Sequence, residues 1–231
     1  MSDNTLPLSI EEMYLLVSVA NPGPGGPTDG RDPELAKTGA VSLLKRGLAE
    51  SRDGTVMVAG GLVETIKRLV NPEIRVTVTR SNPQKIGVME LAVDSDQGSL
   101  RVVLPGGISR VGDFPKTDLI PLAISSSDVS DCVSPEDGST LTDKIKVGEL
   151  LKDPPPPDAE TFEFGGKAFS EVMVVDVAFL NEGFVRRSTW VKSPDGELWR
   201  AGQDEEELTL EGSDPKEFAG WVASALQAPA A

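Results

Sequence analysis

The sequence predicts an α+β fold in which an antiparallel meander followed by a helix occurs twice, behind a leading segment of three helices. Three observations carry this. Apolar residues recur every three or four positions as far as Val70, then every second position from Ile74. Two strand-rich stretches each run into a helical one. Between them stands Pro154-Pro155-Pro156-Pro157, a stiff extended spacer. The expected organisation is an N-terminal α+β half over 1–153, with helices in 8–70, a sheet in 74–124 and a helix over 140–152. A C-terminal half over 154–231 holds a meander and a terminal helix. One continuous domain is the alternative.

The first helix is expected over 8–20, where Ser9 and Glu12 form a capping box and Ile10, Met13, Tyr14 and Val17 make an apolar face. Four Gly and four Pro between Asn21 and Pro33 make a loop. Asp32 caps a second helix over 33–48, with Pro33 at its first position, Leu35, Ala36, Ala40, Leu43 and Leu44 as its stripe, and Gly47 as its stop. Val56 to Val58 follow an Asp53-Gly54 turn as a short strand. A third helix over 61–70 ends at Asn71-Pro72.

Strands then follow at 74–78, 86–93 and 100–104, with Asp94-Ser95-Asp96-Gln97-Gly98 as hairpin-type turn chemistry between the last two. The apolar run Leu119 to Ile124 is expected to close this sheet, residues 125–139 to form an exposed loop, and 140–152 a helix carrying Leu141, Ile145, Leu150 and Leu151. Beyond the prolines, 162–164, 172–180, 184–191, 198–201 and 207–211 read as a meander with turns at Gly165-Gly166, Asn181-Glu182-Gly183 and Pro194-Asp195-Gly196. The last helix has Asp214 as cap, Pro215 first and Glu217 at its third position. Phe218, Trp221, Val222, Ala225 and Leu226 line one face, with Trp221 as a core anchor.

Composition excludes several chemistries. The 231 residues include no histidine, which removes Ser-His-Asp and Cys-His triads and the usual zinc sites. The one cysteine, Cys132, cannot close an internal disulfide and reads as a spectator in a polar loop. Carboxylate or lysine catalysis and an all-oxygen Mg²⁺ or Ca²⁺ site stay open. A net charge of −15 repels nucleic acid and anionic membranes and favours neutral or basic partners. No apolar run reaches the ~20 residues of a membrane span, and the N-terminus lacks the basic start and apolar core of a signal peptide. The expected address is the cytoplasm, with no cofactor.

Local motifs mostly have structural explanations. Ser42-Leu43-Leu44-Lys45 and Lys37-Thr38-Gly39 match the serine–lysine and lysine-triad motifs of β-lactamase-like enzymes, but both lie in one expected helix, in the wrong order and context. The 94–98 stretch faintly matches a calcium loop, yet Pro105 stands where the terminal glutamate belongs. Gly23-Pro24-Gly25-Gly26 lacks the Gly-Lys-Ser/Thr of a phosphate loop. Asp204-Glu205-Glu206-Glu207 reads as a solvated turn, with a site for a basic partner as the sharper alternative. Three helices before a hairpin, with Lys45, Arg46, Arg52, Lys67 and Arg68 among them, keep a winged-helix DNA-binding reading open.

One family accounts for the order of segments together with several local phrases. Leu43 to Leu48, Asp53-Gly54-Thr55-Val56, Leu62 to Val70, Asn71-Pro72 and the Arg-bearing strand Ile74 to Arg80 resemble the N-terminal half of the EspG family of type VII (ESX) secretion-associated proteins. Gly196-Glu197-Leu198-Trp199-Arg200, Leu208-Thr209-Leu210 and Ser213-Asp214-Pro215 are similar to that family's closing strands and helix. The resemblance spans roughly 8–125 and 160–226. It departs from the family in being shorter and in its loop- and proline-rich 125–160 segment.

The resemblance implies two quasi-equivalent α+β halves and a non-catalytic cytosolic chaperone or adaptor. Such a protein holds a helical secretion substrate, PE/PPE-like or WXG100-like, before export. By position it implies contacts at Asp94, Ser95, Asp96, Gln97, Gly98 and Ser99, and at Leu141, Ile145 and Leu150 in the 140–152 segment. Two other readings compete: a winged-helix regulator, which requires a basic face on 33–70, and an enzyme using carboxylates, which requires a closed pocket holding two or more acids or a perturbed lysine.

Overall fold

The computed structural model describes residues 5–21, 32–136, 139–143, 160–204 and 207–227. Among these are fourteen strands and five α-helices. In chain order they are β1 (Leu6–Leu8), α1 (Ile10–Ala20), α2 (Pro33–Lys45), β2 (Ala49–Arg52), β3 (Thr55–Val58), α3 (Gly60–Val70), β4 (Ile74–Asn82), β5 (Lys85–Asp94), β6 (Gln97–Val103) and β7 (Ser109–Pro115). Then come α4 (Leu119–Ser127), β8 (Thr140–Asp143), β9 (Phe162–Phe164), β10 (Lys167–Phe169), β11 (Glu171–Phe179), β12 (Phe184–Lys192), β13 (Leu198–Asp204), β14 (Glu207–Ser213) and α5 (Pro215–Ala225). Four strands then a helix, β4–β7 with α4, recur as β11–β14 with α5. In each set a short extra strand pairs antiparallel with the last strand of the meander, β1 with β7 and β8 with β14. The fold is α+β with two quasi-equivalent halves, as expected.

The chain clusters into two compact units. The first holds Met1–Arg75 and Met89–Leu119, the second Val76–Val88 and Ile120–Ala231. The expected spacer Pro154–Pro157 lies outside the described residues, as do most of the 21–33 loop and residues 144–152.

In the first unit, α1 starts where the capping box predicts. Glu12 N donates to Ser9 Oγ at 3.2 Å, and Ser9 N to Glu12 Oε2 at 2.9 Å. The buried face differs from the expected one. Met13, Leu16 and Ala20 pack inward with Glu12, while Ile10 is 53 % exposed. Asp32 caps α2 through Glu34 N and Leu35 N, with Pro33 at the first position. Gly47, at φ 69°, turns the chain after it, a conformation that side chains with a Cβ rarely adopt. Leu8, Leu16, Leu43 and Ile66 are fully buried in a shared core with Ala92 and Val111.

Three strands of this unit, β1, β2 and β7, are not among those expected. Polar β2 pairs with β3 across the Asp53-Gly54 turn, whose residues both have positive φ. Strand β7 pairs with β6 on one side and β1 on the other. It, and not the run from Leu119 to Ile124, is the fourth strand of the first meander. That run forms α4. Its buried positions, Leu119, Ala123, Ser126 and Ser127, recur at helical spacing, and Pro121 sits in the first turn, where no N–H is needed.

In the second unit, β11 and β12 pair over nine residues and β13 and β14 over seven. One face buries Phe164, Phe169, Val191, Trp199, Leu208 and Leu210. Phe169 meets Trp199 edge-on at 6.2 Å and Phe162 stacked at 5.7 Å. Asp214 caps α5 as expected. Phe218, Val222 and Ala225 are its buried residues, and the Phe218 ring meets Trp190 at 5.1 Å. Full burial of such side chains contributes about 1.5–3 kcal/mol each. Trp221 is only half-buried, at the margin of this face.

Thr140–Asp143 is not the start of a helix over 140–152 but strand β8, with Leu141 opposite Leu210. The 125–139 stretch is not simply an exposed loop, since Ser126, Ser127, Val129 and Cys132 are buried and Val133 bridges Glu197.

Candidate interaction surface

The expected contact residues 94–99 sit in the first unit, at the β5–β6 hairpin. Asp94, Ser95, Asp96 and Gln97 form its exposed tip, with Ser95 at φ 49°. The tip is held in place. Lys116 Nζ donates to Ser95 O at 2.7 Å, Lys116 N to Asp96 O at 3.2 Å, and Ser95 N to Glu73 Oε2 at 3.4 Å. Gly98 and Ser99 are buried. A Cβ on Gly98 would come within 2.3 Å of the Phe114 ring. Ser99 accepts from Arg68 Nε at 2.9 Å and donates to Asp113 Oδ1 at 2.7 Å. The two face inward and brace the tip.

Leu141 belongs to the second unit. It is half-buried on β8 and packs against the Phe164–Trp199 core. Ile145 and Leu150 lie outside the described residues.

The second unit also exposes large apolar side chains. At the β11–β12 tip, around the Asn181-Glu182-Gly183 turn, Leu180 is 43 %, Phe184 37 % and Val185 58 % exposed. The Phe184 ring lies 6.4 Å from Phe179 and has the Arg186 guanidinium over it at 5.4 Å. Arg186 Nη1 donates to Ser224 O at the end of α5, at 2.6 Å. Arg187 forms a forked pair with Asp176 across the hairpin at 2.6 and 2.9 Å, which raises the Arg187 pKa further. A signal was present. Phe184-Val185 is an adjacent apolar pair on β12, where neighbours point to opposite faces, and Leu180 follows Phe179 just past the end of β11.

Three acids, buried Glu12, half-buried Glu171 and exposed Asp113, are committed to structure. Glu12, 1 % exposed, accepts from Ser9 N, from Ser42 Oγ at 2.7 Å and from Arg46 Nη1 at 2.7 Å. Burial alone pushes its pKa up, but these donors outweigh that and hold it below the ordinary glutamate value. Asp113 accepts from Arg68 Nη2, Ser99 Oγ and Thr65 Oγ1 at 2.7–2.9 Å. Glu171 takes a forked pair from Arg80, which also reaches Asp128 at 3.0 Å, and the Glu171 bond leads in raising the Arg80 pKa.

The larger of two described cavities, about 340 Å³, is lined by Leu6, Leu62, Thr65, Val111, Gly112 and Asp113, a single carboxylate among them. Among the described residues no three His, Cys, Asp or Glu side chains cluster as metal ligands would. Ser42 and Lys45 of the serine–lysine motif do lie on one helix, α2, together with Lys37-Thr38-Gly39. The Ser42 hydroxyl is spent on Glu12.

Four of the five cations noted in the 33–70 segment are paired with carboxylates. Arg46 pairs with Glu12, Arg52 with Glu50, Lys67 with Glu64 and Arg68 with Asp113. The centre of the acidic run 204–207 lies outside the described residues. No helix among the described residues is long and apolar enough to cross a membrane.

No protein-family model matches the sequence, and no curated protein matches it. Among solved structures the chain is similar to the Mycobacterium tuberculosis type VII secretion system chaperone EspG5, in a structure of its complex with the PE25–PPE41 dimer. The TM-score is 0.60 at 11 % identity, covering 96 % of this chain and 95 % of that chain. At that identity the likeness establishes a shared fold.

Proposed function

We propose that this chain is a non-catalytic chaperone or adaptor that holds a helical type VII secretion substrate in the cytosol before export. The observation that carries the proposal is the fold likeness, which runs nearly the full length of both chains to a protein solved as a chaperone with a PE–PPE dimer bound. The commitments of the acids and cations support it. Glu12, Asp113 and Glu171 are used to tie secondary structure together, which leaves them unsuited to proton transfer at a bound substrate, and paired arginines and lysines make a weak phosphate-binding face.

The client is a PE/PPE-like or WXG100-like helical protein. Its contacts include the rigid tip Asp94–Gln97, with Gly98 and Ser99 bracing that tip from within, and the segment that begins at Leu141 and continues through Ile145 and Leu150. The test is affinity purification of the tagged chain from its native cytosol. The expected result is a stoichiometric helical secreted protein, retained less well by Asp94→Lys/Asp96→Lys. Recovery of no stoichiometric partner removes the proposal.

A further inference from the structure

We draw no further inference here: the strongest candidate, the apolar surface patch of the first unit where Ile10 at the start of α1 lies over Gly107 beside exposed Ile108 in the β6–β7 turn, carries nothing because nothing in the structure shows what covers it.

Discussion

Arg46 and Glu12, 34 residues apart in sequence, meet at 2.7 Å where α2 crosses α1, and the other Arg46 terminal nitrogen donates to Pro7 O on β1 at 2.8 Å. One carboxylate thereby closes the capping box of α1, receives Ser42 from α2 and anchors the arginine that reaches β1. Glu12→Ala removes the common acceptor of three donors. It is expected to destabilise the chain by about 3 kcal/mol, the range for breaking a buried pair from one side. Arg46→Ala, at a position 34 % exposed, should cost less. Urea denaturation of both variants checks the order.

The same carboxylate sets a pH dependence. Its folded pKa lies below the ordinary glutamate value, so unfolding raises it. The stability it contributes is therefore fully present above about pH 4.3, the unfolded glutamate value, and is lost as pH falls through the lower folded pKa. Wild type should exceed Glu12→Gln in stability at pH 7, and the gap should close as the pH is taken below about 4. Melts of both proteins from pH 7 to 3 test this; a gap that widens in acid contradicts it.

Gly39 gives the Lys37-Thr38-Gly39 motif its physical meaning. A Cβ at that position would stand 2.3 Å from the Glu11 carbonyl oxygen on α1, so glycine lets the two helix backbones approach. In an open helix Gly→Ala stabilises by up to about 1 kcal/mol. Here the overlap is with backbone, which cannot swing aside, and Gly39→Ala should destabilise by about 1–3 kcal/mol. Gly220→Ala on α5, where a Cβ meets nothing within 4 Å, is the control with the opposite sign.

Local chemistry is what made elements legible in the sequence. Ser9 with Glu12, Asp32 with Pro33 and Asp214 with Pro215 fix helix starts by contacts within four residues, and all three caps form. Elements defined by distant partners were not legible. Strand β7 has only Val111 and Phe114 as buried apolar residues. It also buries Ser109, which accepts from Arg101 Nε, so no alternation marks it as a strand, and it exists because β6 and β1 flank it. Strand β8 is four residues whose state is decided by β14. The Leu119 run is the opposite case, a short apolar stretch of ambiguous period in which Pro121 fits a first helical turn better than a paired strand. In the candidate site, the Asp94–Gln97 turn was legible from its residue types. The inward roles of Gly98 and Ser99 depend on Phe114 and Asp113, which lie across the hairpin in β7.

Cys132, in the segment that follows α4, is buried rather than set in an exposed polar loop. The thiol is 7 % exposed, and burial pushes its pKa up. Lys192 opposes that rise, while Asp128, Glu171 and Asp131 add to it. Reaction with Ellman's reagent requires both access and the thiolate. The native protein at pH 7 should therefore react at least about tenfold more slowly than the same chain in unfolding urea. Raising the pH from 7 to 8.5 should accelerate the native reaction by a larger factor than it accelerates free cysteine, because the folded thiol, still below its raised pKa, gains thiolate about tenfold per unit where the free one approaches half ionisation and begins to saturate. Lys192→Met removes the one group that favours the thiolate and should slow the native reaction further. An accelerated reaction in that variant, with the melting temperature unchanged, would show that access and not ionisation governs the thiol.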